Sequence, residues 1–169
     1  KEENHFYLKN IVVSNNSLNR KLDKYAKKNE YSGMSVMEIS SSRDKYFNKI
    51  CKFIKKNSGA AIIFDYGYLS PIYYSTLQSI KHHRLTNILN DPGHQDITSL
   101  VNFRSLTEIS HQNNLYCYGP YTQRDFLLKN GVEERKNKIL LKANKEQKKE
   151  VEEGFFKLTS VKEMGDIFK

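Results

Sequence analysis

No stretch of this 169-residue sequence approaches the ~20 consecutive apolar residues that a membrane-spanning helix needs, and its longest apolar run, Ala60–Phe64, has the length of a strand. A protein built on transmembrane helices is excluded. The eight glycines fall at 33, 59, 67, 93, 119, 131, 154 and 165, no two closer than eight positions, so a glycine-rich phosphate or dinucleotide loop has no place to form. Any nucleotide-type cofactor would need another segment to hold it. The two cysteines, Cys51 and Cys117, are far apart and form no C-x-x-C pair, which argues against a disulfide framework and a zinc knuckle and fits a reducing compartment. Hydrophobic residues make up only 38%, enough for one modest core. An apolar leader is also missing, and the first methionine after Lys1 is Met34, so the chain is expected to be a piece of something longer.

What the sequence has in excess is positive charge: 28 Lys and Arg against 19 acidic residues, a formal net charge of +9. Its distribution limits what that implies. Residues 1–60 hold 13 basic and 6 acidic groups, residues 129–169 hold 11 and 8, and residues 61–128 hold 4 and 5. The excess lies in Lys-rich helical segments broken by Asp and Asn, with no pattern of stacking aromatics, which favours solvated helix faces over a nucleic-acid surface.

Along the chain, Phe6–Val13 reads as a strand ended by Ser14–Ser17, and Leu18–Lys28 as a basic helix or loop. Met34–Ile39 reads as a second strand, followed by caps at Ser40–Ser42 and a helix over Arg43–Lys56, whose apolar positions Tyr46, Phe47, Ile50, Phe53 and Ile54 recur at helical spacing. Ser58-Gly59 closes that helix, and Ala60–Phe64 then has the continuous apolar character of a strand buried on both faces. Strand, helix, buried strand is a βαβ unit and implies a parallel sheet. Residues 66–95 lack periodicity and read as a long loop over the strand's carboxyl end. A helix is expected from near Thr98 to Asn113, a strand at Leu115–Tyr118, a helix at Gln123–Lys129 capped by Thr122, a long helix at Glu133–Val151, and a beginning strand at Gly165–Lys169.

Asp65-Tyr66-Gly67 follows the apolar run directly and so falls at the carboxyl edge of the expected sheet, where α/β proteins build their sites. An equally good reading makes Asp65 a cap, Tyr66 a packing residue and Gly67 a turn residue. Downstream lie Thr76, Gln78, His82, His83 and Arg84, then Asp91-Pro92-Gly93, read as a turn, and His94-Gln95-Asp96. His82, His83, His94 and Asp96 are a poor metal set, because adjacent histidines seldom share an ion and the helical i, i+4 pair is missing. Cys51 and Cys117 read as core thiols, and His5 and His111 as surface residues.

Asp65-Tyr66-Gly67, the stretch Thr76–His83 and the stretch Asp91–Phe103 together resemble the MidA-type S-adenosylmethionine-dependent methyltransferases, a family that includes a mitochondrial respiratory complex I assembly factor and bacterial members. Those proteins carry close to I-I-D-Y-G, T-L-Q-A-x-x-x-H and N-P-G-x-x-D-I-T-x-x-V-D-F; here Phe64 stands for an aliphatic residue and Asn102 for an Asp. Met37-Glu38-Ile39-Ser40 resembles the family's E-I-S-P without its Pro, and Glu163–Lys169 its M-G-x-x-F-K. The resemblance implies an α/β chain, the C-terminal half of a class I, Rossmann-like methyltransferase fold with a mostly parallel sheet. Residues 1–169 would form the C-terminal part of a single methyltransferase domain, with the glycine turn and most of the S-adenosyl-L-methionine site on an N-terminal half absent here and encoded separately. It implies a protein arginine acceptor, a link to complex I assembly and a bacterial cytoplasmic setting, with Asp65 and Asp96 as the catalytic carboxylates and Tyr66, Gly67, Gln78 and His82 shaping the acceptor site. No cofactor-binding or metal residue is assigned to this chain. For Asp96, N-capping of the helix near Thr98 is a competing role. The alternative function is a non-catalytic remnant or interaction protein that keeps half the fold.

Overall fold

The computed structural model describes Arg20, residues 38–70, Ile72 and residues 74–169. The expected strand Phe6–Val13, most of Leu18–Lys28 and residues 34–37 of the second strand lie outside these residues. The chain divides into two compact units. The described residues of the first are 38–39, 72 and 74–100, and the second comprises 40–70 and 101–169.

The second unit starts with α1, Ser41–Asn57. Ser40 caps it by accepting from the Arg43 N–H at 3.4 Å, Asp44 sits in the first turn and Lys55 and Lys56 in the last, charges that complement the helix dipole. Ser58, with φ 54°, ends the helix in the left-handed conformation. Helix α2, Phe103–Gln112, is capped by Asn102, whose side chain accepts from the Ser105 N–H at 3.1 Å. It buries Phe103, Leu106 and Ser110 along one stripe. The two helices are joined by Ser105 Oγ donating to Asp44 Oδ1 at 3.1 Å and Asn113 Nδ2 donating to Asn48 Oδ1 at 2.8 Å, with Cys51 buried from α1.

Between these helices in sequence, residues 65–68 form the strand that organises this unit. Its β1 portion, Gly67–Tyr68, pairs in parallel with β5, Val101–Asn102, and the Val101 N–H donates to the Tyr66 carbonyl at 2.8 Å. On its other edge Asp65 and Lys169 exchange backbone hydrogen bonds at 3.2 and 2.9 Å, and Tyr66 bridges to Phe168 in antiparallel sense. The expected strand at Ala60–Phe64 is corrected by this arrangement. Among the described residues that run has no ladder partner, it is exposed, and pairing begins only at Asp65. An unbroken apolar run signals that something must cover it, without specifying a hydrogen-bonded neighbour inside the same chain.

Helices α3 (Gln123–Lys129), α4 (Val132–Leu140), α5 (Lys145–Thr159) and α6 (Met164–Ile167) complete the unit. Thr122 caps α3 as expected, accepting from the Asp125 N–H at 3.0 Å. The expected single helix over Glu133–Val151 is instead two, because Asn144 and Gln147 form a reciprocal capping box that starts α5 afresh. Leu115–Tyr118 is extended without strand pairing, and Cys117 in it is exposed, so only Cys51 behaves as a core thiol. The expected strand at Gly165–Lys169 is a helical turn to Ile167, followed by the Phe168–Lys169 pairing with residues 65–66.

In the first unit the expected loop at 66–95 contains a β-hairpin over 78–86, with turns after it. β2 (Gln78–Lys81) pairs antiparallel with both β3 (Arg84–Thr86) and β4 (Asp96–Thr98) in the order β3-β2-β4. Ser79 is fully buried, with its hydroxyl 3.1 Å from Thr86 Oγ1, which donates to Gln95 Oε1 at 2.8 Å. Gln95 Nε2 in turn donates to the Asn87 and Ile88 carbonyls at 3.2 and 3.1 Å, fastening the segment after β3. The β2–β3 connection is a two-residue turn, His82-His83, with φ of 49° and 61°. Both φ values are positive, as in a type I′ turn, a conformation Asn-Gly adopts most easily and one that costs other L-residues roughly 1–2 kcal/mol each. Asp91-Pro92-Gly93 is a turn as expected, with Asp91 at φ 43° and Gly93 at φ 93°.

Candidate functional site

The residues expected to carry function divide between the two units. Asp65, Tyr66 and Gly67 stand together on the organising strand of the second. Asp65 is exposed; its Oδ1 accepts from the Tyr66 N–H at 2.8 Å while its backbone is held by Lys169. Its carboxylate is fixed locally and open to solvent, as a ligand-facing carboxylate requires. The Tyr66 ring lies against that of Phe168, centroids 3.9 Å apart, which sets its direction. Gly67 is buried, and a Cβ there would stand 2.5 Å from the Phe103 ring and 2.5 Å from the Val101 carbonyl oxygen. Only glycine lets β1 approach β5 and α2 this closely. The structure thus gives Gly67 a packing role that brings Asp65 and Tyr66 to the end of the strand pair.

Gln78, His82 and Asp96 belong to the first unit, each exposed. Gln78 is opposite Thr98 and Asp96 opposite Ile80, so both lie on the ladder of the antiparallel sheet. The capping role weighed for Asp96 is overturned. Asp96–Thr98 and Val101–Asn102 are taken into strand pairing, the helix starts at Phe103 instead of near Thr98, and Asn102 is its cap.

Two features of the first unit escaped the sequence reading as sites. The Glu38 carboxylate accepts from Thr76 Oγ1 at 2.5 Å, the Thr76 N–H at 2.7 Å, Ser75 Oγ at 3.0 Å and the Leu77 N–H at 3.2 Å, and Thr76 Oγ1 accepts from the Leu100 N–H at 2.9 Å. Both Glu38 and Thr76 lie in the motif segments quoted above, and that was the available signal. Burial raises the Glu38 pKa, but the hydrogen bonds from Thr76, Ser75 and Leu77 outweigh it and hold the carboxyl below its ordinary value. A depressed carboxyl pKa contributes stability that is present above the unfolded-state value and disappears as pH falls through the folded one. Glu38→Gln is therefore expected to lower stability by about 1 kcal/mol at neutral pH, the half-open setting screening the rest, and to leave the difference between the proteins shrinking below pH ~4.5. Thermal unfolding as a function of pH checks this; a pH-independent difference would contradict it.

The second feature is at the hairpin. Asp91 is paired with the Lys81 ammonium and lies 3.1 Å from His94 Nδ1. The hydrogen bond from Lys81, with a smaller contribution from His94, keeps Asp91 below the usual carboxylate range. No group of three or more His, Cys, Asp or Glu among the described residues could hold a metal ion.

The second unit also contains an apolar cavity of about 320 Å³, walled by Ile62, Ile63, Phe64, Phe103, Leu106 and Phe126 among others, with Phe64 edge-on to Phe126 at 5.3 Å. No carboxylate lines it. A sulfonium nucleoside needs an acidic partner for its ribose hydroxyls and a glycine turn for close backbone approach. The described residues around this cavity do not bring these together.

Helices pack around a parallel strand pair in the second unit, and likeness to solved structures defines the class: the chain has a Rossmann-like, S-adenosylmethionine-dependent methyltransferase fold. A Burkholderia thailandensis methyl transferase superfamily member, solved with S-adenosyl-homocysteine bound, superposes with a TM-score of 0.73 over 99% of this chain and 43% of its own, at 20% identity. A second structure from that organism gives 0.70 over 88% of this chain and 41% of its own, at 23% identity. Residues 1–121 match the family described as "Putative S-adenosyl-L-methionine-dependent methyltransferase", and the chain belongs to it. Among curated relatives, the mitochondrial protein arginine methyltransferase NDUFAF7 homolog of Drosophila melanogaster is 30% identical over 136 residues, and NDUFAF7 of Xenopus laevis 31% over 134. These alignments cover 80% and 79% of this chain but 31% and 30% of the relatives, so the chain spans about a third of their length. No helix among the described residues is long and apolar enough to cross a membrane.

Proposed function

We propose that this chain forms the acceptor side of a methyltransferase that modifies arginine on a protein, in the setting of respiratory complex I assembly, and that the S-adenosylmethionine donor is held mainly by residues outside these 169. The observation that supports this best is the apolar run leading into Asp65. Ile62, Ile63 and Phe64 are 76%, 40% and 58% exposed, a degree of uncovering expected of an interior strand whose neighbours belong to a further part of the domain. That part is proposed to be a separately encoded N-terminal half carrying the glycine turn, in a bacterial cytoplasm. The names of the curated relatives supply the arginine acceptor.

Methyl transfer from a sulfonium is an in-line displacement, in which the protein's work is alignment and exclusion of water. An arginine acceptor also has to present one nitrogen with its lone pair localised, which a carboxylate achieves by holding the guanidinium through paired N–H···O bonds. Asp65, exposed and anchored by its own backbone, is suited to that task, and Asp96 is the second candidate. Tyr66, Gly67, Gln78 and His82 are proposed to shape the acceptor's surroundings, Gly67 through the strand approach it permits.

In the complemented enzyme, Asp65→Ala is expected to cut transfer about a hundredfold or more while the melting temperature moves by about 2 °C or less, because the carboxylate's hydrogen bond to the Tyr66 N–H is local and solvent-exposed. Single-turnover assays with a labelled methyl donor, run beside thermal unfolding, check this. Parallel losses of activity and stability would make Asp65 a structural cap.

A further inference from the structure

The β2–β3 hairpin concentrates features that the folded state does not need. Lys81 and Arg84 face each other across the ladder, and the Lys81 ammonium is paired with Asp91, which leaves the Arg84 charge uncompensated. The two residues between them, His82 and His83, occupy left-handed conformations at a turn where Asn-Gly would serve without strain. Neither imidazole is buried, and neither they nor the Arg84 guanidinium makes a side-chain hydrogen bond or ion pair among the described residues. Asp91, the carboxylate that reaches this tip, is committed to Lys81 and His94. The tip therefore presents a guanidinium and two imidazoles on a rigid two-residue turn. It does so within a stretch, residues 61–128, that has only four basic residues, two of them Lys81 and Arg84. Backbone strain at an exposed tip that carries a guanidinium without a side-chain partner points to a feature kept for binding.

We propose that this hairpin tip binds a carboxylate-rich segment of the acceptor protein. The inference rests on the reading of this chain as the acceptor side of a protein methyltransferase. The Arg84 guanidinium repels a second guanidinium, so the tip, His82 included, serves acidic residues of the acceptor and not its arginine. Acidic polypeptide is favoured over nucleic acid because the charge is confined to one turn, without the basic track or aromatic platforms that a nucleic-acid strand requires. The Arg84 fork matches a carboxylate, which it can grip through two parallel N–H···O bonds.

The test uses the full chain and a fluorescent glutamate-rich decapeptide, read by anisotropy at low and moderate salt, with no methyl donor present. The wild type is expected to bind, with salt weakening the complex. The double variant H83Q/R84Q should lose at least tenfold in affinity, whereas K148A, which removes an exposed positive charge on α5, should stay within twofold. H82N/H83G, which installs the turn residues the backbone prefers, should raise the melting temperature while also weakening peptide binding. Failure of the wild type to bind, unchanged affinity in H83Q/R84Q, or an H82N/H83G variant that is no more stable would overturn the proposal. So would a single-stranded RNA oligomer that binds more tightly than the peptide and loses affinity in H83Q/R84Q. Because no donor is used, each outcome is independent of whether the chain contributes to methyl transfer.

Discussion

Gly67→Ala is expected to destabilise the second unit by about 3 kcal/mol, the upper part of the range for overpacking a tight site. Two atoms meet the new methyl group. The Phe103 ring at 2.5 Å could in principle rotate, but it is buried at the start of α2, and the Val101 carbonyl oxygen at 2.5 Å is backbone. Relief can come only by separating β1 from β5. That movement would also strain the bond from the Val101 N–H to the Tyr66 carbonyl, and with it the position of Asp65. For a chain of this length, 3 kcal/mol corresponds to a fall of roughly 6–12 °C in melting temperature. Gly59→Ala is the control, since a Cβ there meets nothing within 4 Å. Equal melting temperatures for Gly67→Ala and the parent would show that the strand pair is not held as described.

The helices were legible where local chemistry marks their ends. Ser40, Thr122 and the positively twisted Ser58 all stand at the boundaries their residue types indicate. The single helix expected across 133–151 is broken because Asn144 begins an Asn-x-x-Gln capping signature that starts a new helix. The antiparallel sheet was illegible for a different reason. Its strands are three or four residues long, it buries the polar Ser79 while Leu85 and Ile97 are exposed, and its turn is His-His, so neither alternation nor an Asn-Gly turn announces it.

For the candidate site, Asp65-Tyr66-Gly67 is expected just past the end of a strand over Ala60–Phe64, whereas the structure puts it inside the paired segment 65–68, because the backbone partners Lys169 and Val101 engage only from Asp65 onward. The hydrogen-bonding partners were not legible. Glu38 reaches Thr76 across 38 positions, a contact that no local pattern encodes. Asp96 shows how a plausible cap can mislead: Asp-Ile-Thr before an apolar stretch has the form of a helix start, yet pairing with β2 holds it extended and leaves the capping to Asn102.

The second large effect concerns the donor. The described glycines are scattered, Gly67 and Gly165 are taken up by close packing, and the apolar cavity lacks a carboxylate for the ribose. Micromolar affinity corresponds to about 8 kcal/mol of binding free energy, and contact with apolar walls alone does not supply the directed hydrogen bonds that a charged nucleoside loses on leaving water. Addition of a chain that carries the glycine turn and covers Ile62–Phe64 should restore donor binding and raise the melting temperature together, since the same contacts serve both. The most direct measurement is isothermal titration of S-adenosylmethionine into this chain by itself and into its mixture with that second chain. The account predicts no measurable heat of binding in the first and saturable micromolar binding in the second, whereas micromolar binding to this chain alone would contradict it.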